Sequence, residues 1–192
     1  MEKIQLGEYI NLYKIKYTPI SSKENTLKSI SELIQLQPEN EGSDAYTYLN
    51  NKFKEIDEIE RKGIEICLEI EGVNSTIPYY YDTWVNRVKS KDPVQRFGAM
   101  IFGHPYHNHT EINKTMLRHN PKYTFIYYVQ IPDNLQDDEG CLVLKDIKGE
   151  VYSILPKEGE FIIHESHIDH YPKEATNSTI DRIVIAGNVG FE

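Results

Sequence analysis

The stretch that decides the fold runs from Pro156 to Val189, PKEGEFIIHESHIDHYPKEATNSTIDRIVIAGNV. Its opening, Pro156-Lys157-Glu158-Gly159, joins two strong turn formers and leads into Phe161-Ile162-Ile163. That apolar run is short and bounded by polar residues, so it reads as a buried strand. After the histidine-rich segment His164-Glu165-Ser166-His167-Ile168-Asp169-His170-Tyr171-Pro172 and a polar loop comes Asp181-Arg182-Ile183-Val184-Ile185-Ala186-Gly187-Asn188-Val189. Its β-branched content makes it a second strand. Side chains alternate across a strand, so Arg182, Val184, Ala186 and Asn188 share one face and Ile183 and Ile185 the other. An arginine flanked by Ile183, Val184 and Ile185 is a charge in a buried strand, which is costly unless it has a partner.

Outward from this stretch the strand pattern continues. Strands are expected at 98–103, 107–111, 123–131, 141–145, 150–154, 159–165 and 181–189, separated by a polar loop from Pro132 to Gly140 and a hairpin turn at Lys148-Gly149. The first third carries a helical period instead. Leu27, Ile30, Leu33 and Ile34 form one amphipathic helix over 26–36, and a longer pattern runs from Ser43 or Asp44 to about Ile70, with Gly63 as a potential break and Gly72 as its stop. One α+β domain over 1–192 is expected, with 1–97 a mainly helical support for a β core at 98–192.

Composition narrows the function. The chain of 192 residues is 39% hydrophobic and 27% charged, as ordinary globular proteins are. A formal charge of -9 is the wrong sign for a general nucleic-acid binder. Cys67 and Cys141 lie in apolar segments without C-x-x-C spacing and read as reduced core thiols. No segment approaches the roughly 20 apolar residues of a membrane span, and MEKIQLGEYINLYKIKY alternates polar and apolar residues without a leader-type apolar run. A soluble, intracellular, cytoplasmic protein is expected.

All seven histidines fall between positions 104 and 170. In His104-Pro105-Tyr106-His107-Asn108-His109-Thr110-Glu111, an extended chain would put His107, His109 and Glu111 on one side. Such a pair plus one distant histidine is what a facial Fe(II) site needs: three protein ligands, three open positions.

Together these stretches resemble the distal half of the 2-oxoglutarate/Fe(II)-dependent oxygenases. There a P-x-x-G turn, an apolar strand, an H-x-V/Y-x-P segment and an R-I-x-I-x-x-N strand follow in this order. The chain is most similar to small phage-encoded and bacterial oxygenases related to prolyl hydroxylases, over roughly residues 98 to 190. Tyr123-Thr124-Phe125-Ile126-Tyr127-Tyr128-Val129-Gln130 resembles the strand after the family's H-x-D motif, and Trp84-Val85-Asn86 is a weaker extension. Departures are Glu111 for the usual Asp, a longer segment after it that includes Arg118 and His119, and His164-Glu165 where relatives carry Phe-Pro.

The resemblance implies a double-stranded β-helix, a jelly roll of cupin type, with the N-terminal helices on its larger sheet. It implies Fe(II) held by His109, Glu111 and His170, or by His107 in place of Glu111. The co-substrate would be 2-oxoglutarate, its far carboxylate on Arg182, with Tyr128 or Tyr127, Thr124 and Asn188 lining the same cavity. The reaction implied is hydroxylation of a further substrate, a peptidyl proline being the family's hint, with succinate and CO2 released. Two rival classes are a cupin-like metal-binding protein without redox turnover and an interaction module without metal.

Overall fold

The computed structural model describes residues 1–37, 45–48, 52–74, 76–88, 106–110, 121–137, 139–173, 175 and 178–191. Its elements, in chain order, are β1 (Glu2–Leu6), β2 (Ile10–Lys16), α1 (Lys23–Gln35), β3 (Ala45–Tyr48), α2 (Lys54–Glu71), β4 (Tyr79–Val88), β5 (Tyr123–Gln130), β6 (Leu142–Lys145), β7 (Val151–Ile154), β8 (Glu160–Glu165), β9 (Asp169–Pro172) and β10 (Arg182–Phe191). They form two antiparallel sheets. The larger has the order β1-β2-β8-β5-β10-β4-β3, the smaller β7-β6-β9.

The first third is not mainly helical. The alternation in its opening residues builds the hairpin β1–β2, which turns at Gly7 (φ 58°) and pairs through β2 with β8. A period of two had the stronger claim there, because one face could be buried against the second sheet. β3 and β4 also join the larger sheet, β4 along the whole of β10. Residues 45–48, expected inside a helix, are β3. The expected strand at 98–103, with His104, Glu111, Arg118 and His119, lies outside the described residues.

Helix α1 starts where Ser22 caps it, the hydroxyl accepting from the Asn25 N–H. Helix α2 ends at Gly72 in the left-handed conformation (φ 74°), as read from the sequence. Gly63 does not break α2. A Cβ there would stand 2.7 Å from the Phe125 ring, so this glycine permits a close helix–sheet approach. The same ring lies beneath Gly187 of β10, where a Cβ would stand 2.6 Å away.

Two apolar clusters sandwich the larger sheet. On one side Ile30, Ile56, Ile59 and Cys67 of the helices meet Phe125, Phe161, Ile183 and Ile185. On the other, between the sheets, are Ile10, Leu12, Ile126, Tyr128, Leu142, Leu144, Ile162, Val184 and Ala186. Fully burying a side chain such as Phe161 contributes about 1.5–3 kcal/mol relative to exposure. Cys67 and Cys141 are both buried, and no disulfide joins them.

Candidate metal centre

The three histidines that meet come from two backbone segments tied together. His107 and His170 exchange both main-chain hydrogen bonds, 3.1 Å from His107 N–H to His170 O and 2.8 Å in return. Residues paired in this way project their side chains to the same side. Their ring centroids are 4.5 Å apart. The chain then leaves the extended form: His109 and Thr110 adopt a helical conformation, so the premise of one straight strand over 107–111 fails after Asn108. Local hydrogen bonds explain the bend. Asn108 donates to Asp169 Oδ1 at 2.9 Å, Thr110 donates to Asn108 Oδ1 at 2.9 Å, and the His109 N–H donates to Ser166 O at 2.9 Å.

The bend nevertheless carries His109 to its partners. One ring nitrogen of each of His107, His109 and His170 lies within 4.8 Å of the others. His109 and His170 bring their Nε2 atoms to 3.2 Å. His170 donates from Nδ1 to the Ile168 carbonyl at 2.9 Å, which leaves its Nε2 as the lone-pair atom. His109 Nε2–H therefore donates to it, while His109 Nδ1 faces the Asn188 amide at 3.5 Å.

Burial, with His107 and His164 nearby, holds His109 well below its ordinary pKa; burial and the three neighbouring histidines do the same to His170. His164, whose ring is 4.6 Å from that of His170, is pushed down to about 4, chiefly by burial. Buried, uncharged imidazoles such as those of His109 and His170 are donors that suit a divalent transition metal.

Each sequence-predicted residue has a place. Thr124 and Asn188 stand opposite one another on β5 and β10, and Thr124 also faces His164 across β8. The Thr124 hydroxyl donates to Asn188 Oδ1 at 2.9 Å and lies 2.9 Å from the Ser166 hydroxyl. Thr124 and Asn188 are thus linked to His109 as a buttress. The Asn188 amide also serves Asp82, whose carboxyl burial pushes up in pKa. Arg182 is buried at 5% exposure and donates to Asn86 Oδ1 at 3.2 Å. Tyr128 is buried, and the nearby Arg182 charge opposes the upward pull of burial on its phenol. Tyr127 points the other way, into the cluster that includes the helices, with its hydroxyl 3.4 Å from the Tyr17 carbonyl.

Asp82, Asn86, Ser166 and the Trp84 ring, 5.2 Å from that of His109, are neighbours that sequence reasoning did not single out for this centre. Asn86 and Trp84 lay within the quoted Trp84-Val85-Asn86, but nothing in the sequence paired β4 with β10. Glu111 lies outside the described residues.

No protein-family model and no curated protein matches this sequence. Solved structures do match. A viral collagen prolyl hydroxylase from Paramecium Bursaria Chlorella virus-1, in its 2OG complex, aligns over 95% of this chain and 96% of its own with TM-score 0.57 at 15% identity. A Pseudomonas putida prolyl-4-hydroxylase aligns over 94% and 92% with TM-score 0.60 at 10% identity. The chain shares the fold of these prolyl hydroxylases. HygX from Streptomyces hygroscopicus, solved with nickel and 2-oxoglutarate bound, shares it over 93% of this chain and 82% of its own, with TM-score 0.54 at 11% identity. Among the described residues no helix is long and apolar enough to cross a membrane.

Proposed function

We propose that this protein is a 2-oxoglutarate- and Fe(II)-dependent oxygenase that hydroxylates a further substrate, its two sheets forming the double-stranded β-helix of that fold. The observation that carries the reading is the gathering of His107, His109 and His170, ring nitrogens within 4.8 Å, in a fold shared with such enzymes. The donor set fits: imidazole nitrogens suit Fe(II), and burial keeps those of His109 and His170 uncharged. His109 and His170 would hold the metal with His107, or with Glu111 if the carboxylate register applies. When bound, Fe(II) would activate O2 as the oxidant, with 2-oxoglutarate giving up two electrons as it leaves as succinate and CO2 and the substrate gaining a hydroxyl.

The chain's own residues do the rest. The Ile168 carbonyl keeps the His170 proton on Nδ1, so Nε2 faces the metal site. Asn188 serves His109 in either tautomer, because an amide turned over offers Oδ1 in place of Nδ2 and Thr124 can reverse its bond to match. Arg182, presented from the same face of β10 as Asn188, would grip the far carboxylate of the co-substrate through two parallel hydrogen bonds, with Tyr128 beside it. Leu12, Ile126, Ile162 and Ala186 line the surrounding wall and exclude water. The prolyl hydroxylases that share the fold make a peptidyl proline the first substrate to try.

An anaerobic titration with Fe(II) and then 2-oxoglutarate tests this. A visible charge-transfer band should grow with both present and be absent in His170→Ala; no band in the wild-type protein would refute the reading. The ligand set is decided by a pair of substitutions. Iron lost in His107→Ala and kept in Glu111→Ala means three histidines, and the reverse means two histidines and a carboxylate.

A further inference from the structure

A fourth histidine adjoins the three. His164, on β8, is fully buried. Its Nδ1–H donates to the Glu165 carbonyl at 2.8 Å, and since a carbonyl can only accept, the neutral ring carries its lone pair on Nε2. That Nε2 is buried and has no hydrogen-bond partner among the described residues. The ring packs edge-on against that of His170, with centroids 4.6 Å apart and the planes at 61°. An acceptor sealed from water and left unmet is costly, and native proteins rarely keep one without a use.

Thr124, Ser166 and Asn188 bond one another, and the Nδ1–H of His170 goes to Ile168. Whatever completes His164 must carry a proton to donate. The carboxylates of 2-oxoglutarate have none.

We propose that His164 Nε2 accepts a hydrogen bond from a water bound to the metal held by His109 and His170, making His164 a positioning residue for a solvent ligand. The inference rests on the metal reading above. In chemical terms, His164 marks the part of the centre that receives a hydrogen-bond donor, and Arg182 the part that receives an anion.

Manganese(II) alone is the probe. Metal-free protein is titrated with Mn(II), and both its affinity and the relaxation of water protons are measured for the wild type, His164→Phe and His164→Gln. His164→Phe should retain Mn(II) with nearly unchanged affinity but alter the exchange rate of bound water several-fold. His164→Gln, whose amide oxygen can accept, should return it towards the wild-type value. Unchanged water exchange in His164→Phe overturns the proposal, and so does a loss of Mn(II) as steep as in His170→Ala, which would make His164 a ligand. A wild-type protein that binds no Mn(II) overturns the metal reading itself.

Should the phenylalanine variant not fold, the ¹⁵N resonance of His164 Nε2 in the wild-type protein carries the test. On loading with Zn(II) it should shift modestly, as for an acceptor gaining a hydrogen bond. No shift, or a shift to the metal-coordinated range, overturns the proposal.

Discussion

The last strand, β10, supplies one face to each of two interiors built by different rules. Towards the helices it presents Ile183, Ile185 and Val189, and Gly187 leaves room for the Phe125 ring. Towards the second sheet it presents Arg182, Val184, Ala186 and Asn188, with the polar residues at the ends of the row. The helix-facing interior is held by shape: remove a ring and a void remains. The other adds matched polar groups to its apolar packing, and loss of those groups should show in binding before it shows in stability. One strand thus carries the support and the site, and substitutions on its two faces should separate the two.

The sharpest way to break that contrast is to hollow the support. Phe125→Ala should destabilise the fold by about 3–5 kcal/mol, measured by denaturant unfolding, while the folded fraction keeps metal affinity. If metal affinity falls in parallel, the two interiors are not separable. On the opposite face, Arg182→Leu should weaken 2-oxoglutarate by about 2–5 kcal/mol if the pair is buried, with metal retained and the unfolding midpoint moved far less than in Phe125→Ala. Equal co-substrate affinity would assign the anion to another residue. Gly63→Ala adds one methyl against the Phe125 ring and should cost about 1–3 kcal/mol. A neutral result would mean that α2 shifts freely over the sheet.

How legible each interior was in the sequence follows the same division. The alternation of Ile183 and Ile185 against Val184 and Ala186 needed only strand periodicity, and the structure divides them between the two clusters as that periodicity requires. The hairpin β1–β2 was equally visible as alternation, but helical patterns on its C-terminal side drew the whole first third into one class. Gly63 read as a helix break because its reason, the Phe125 ring, lies 62 positions away in the chain. His109 and His170 were singled out from spacing and resemblance, and the structure sets their rings side by side. The tautomer of His170 and the isolation of His164 Nε2 depend on carbonyls whose direction only the fold sets.

The smallest effect tests how the site's strand is anchored. Asp133, after β5, accepts from the Ser178 hydroxyl at 2.7 Å and the Thr179 N–H at 2.9 Å, just ahead of β10. These bonds lower its pKa from 3.8 to about 2. A depressed carboxyl stabilises the fold above its unfolded value, and that contribution fades as pH falls from about 4 through about 2. Asp133→Asn should therefore flatten the acid limb of stability over that window, measured by unfolding at each pH. Wild-type and variant curves should run parallel at the lowest pH. An identical slope in both proteins would show that this anchor also persists in the unfolded chain.

The paired peptides of His107 and His170 carry a consequence for how the protein would live with scarce metal. Their imidazoles are gathered by main-chain bonds formed during folding, so the donors stand assembled as a template before any ion arrives. Small zinc domains differ, because there the ion itself drives folding and its removal unravels the chain. Here depletion should leave an intact vessel that refills when supply returns. Which divalent ion it carries at a given moment would then be governed by the surrounding pool as much as by the protein.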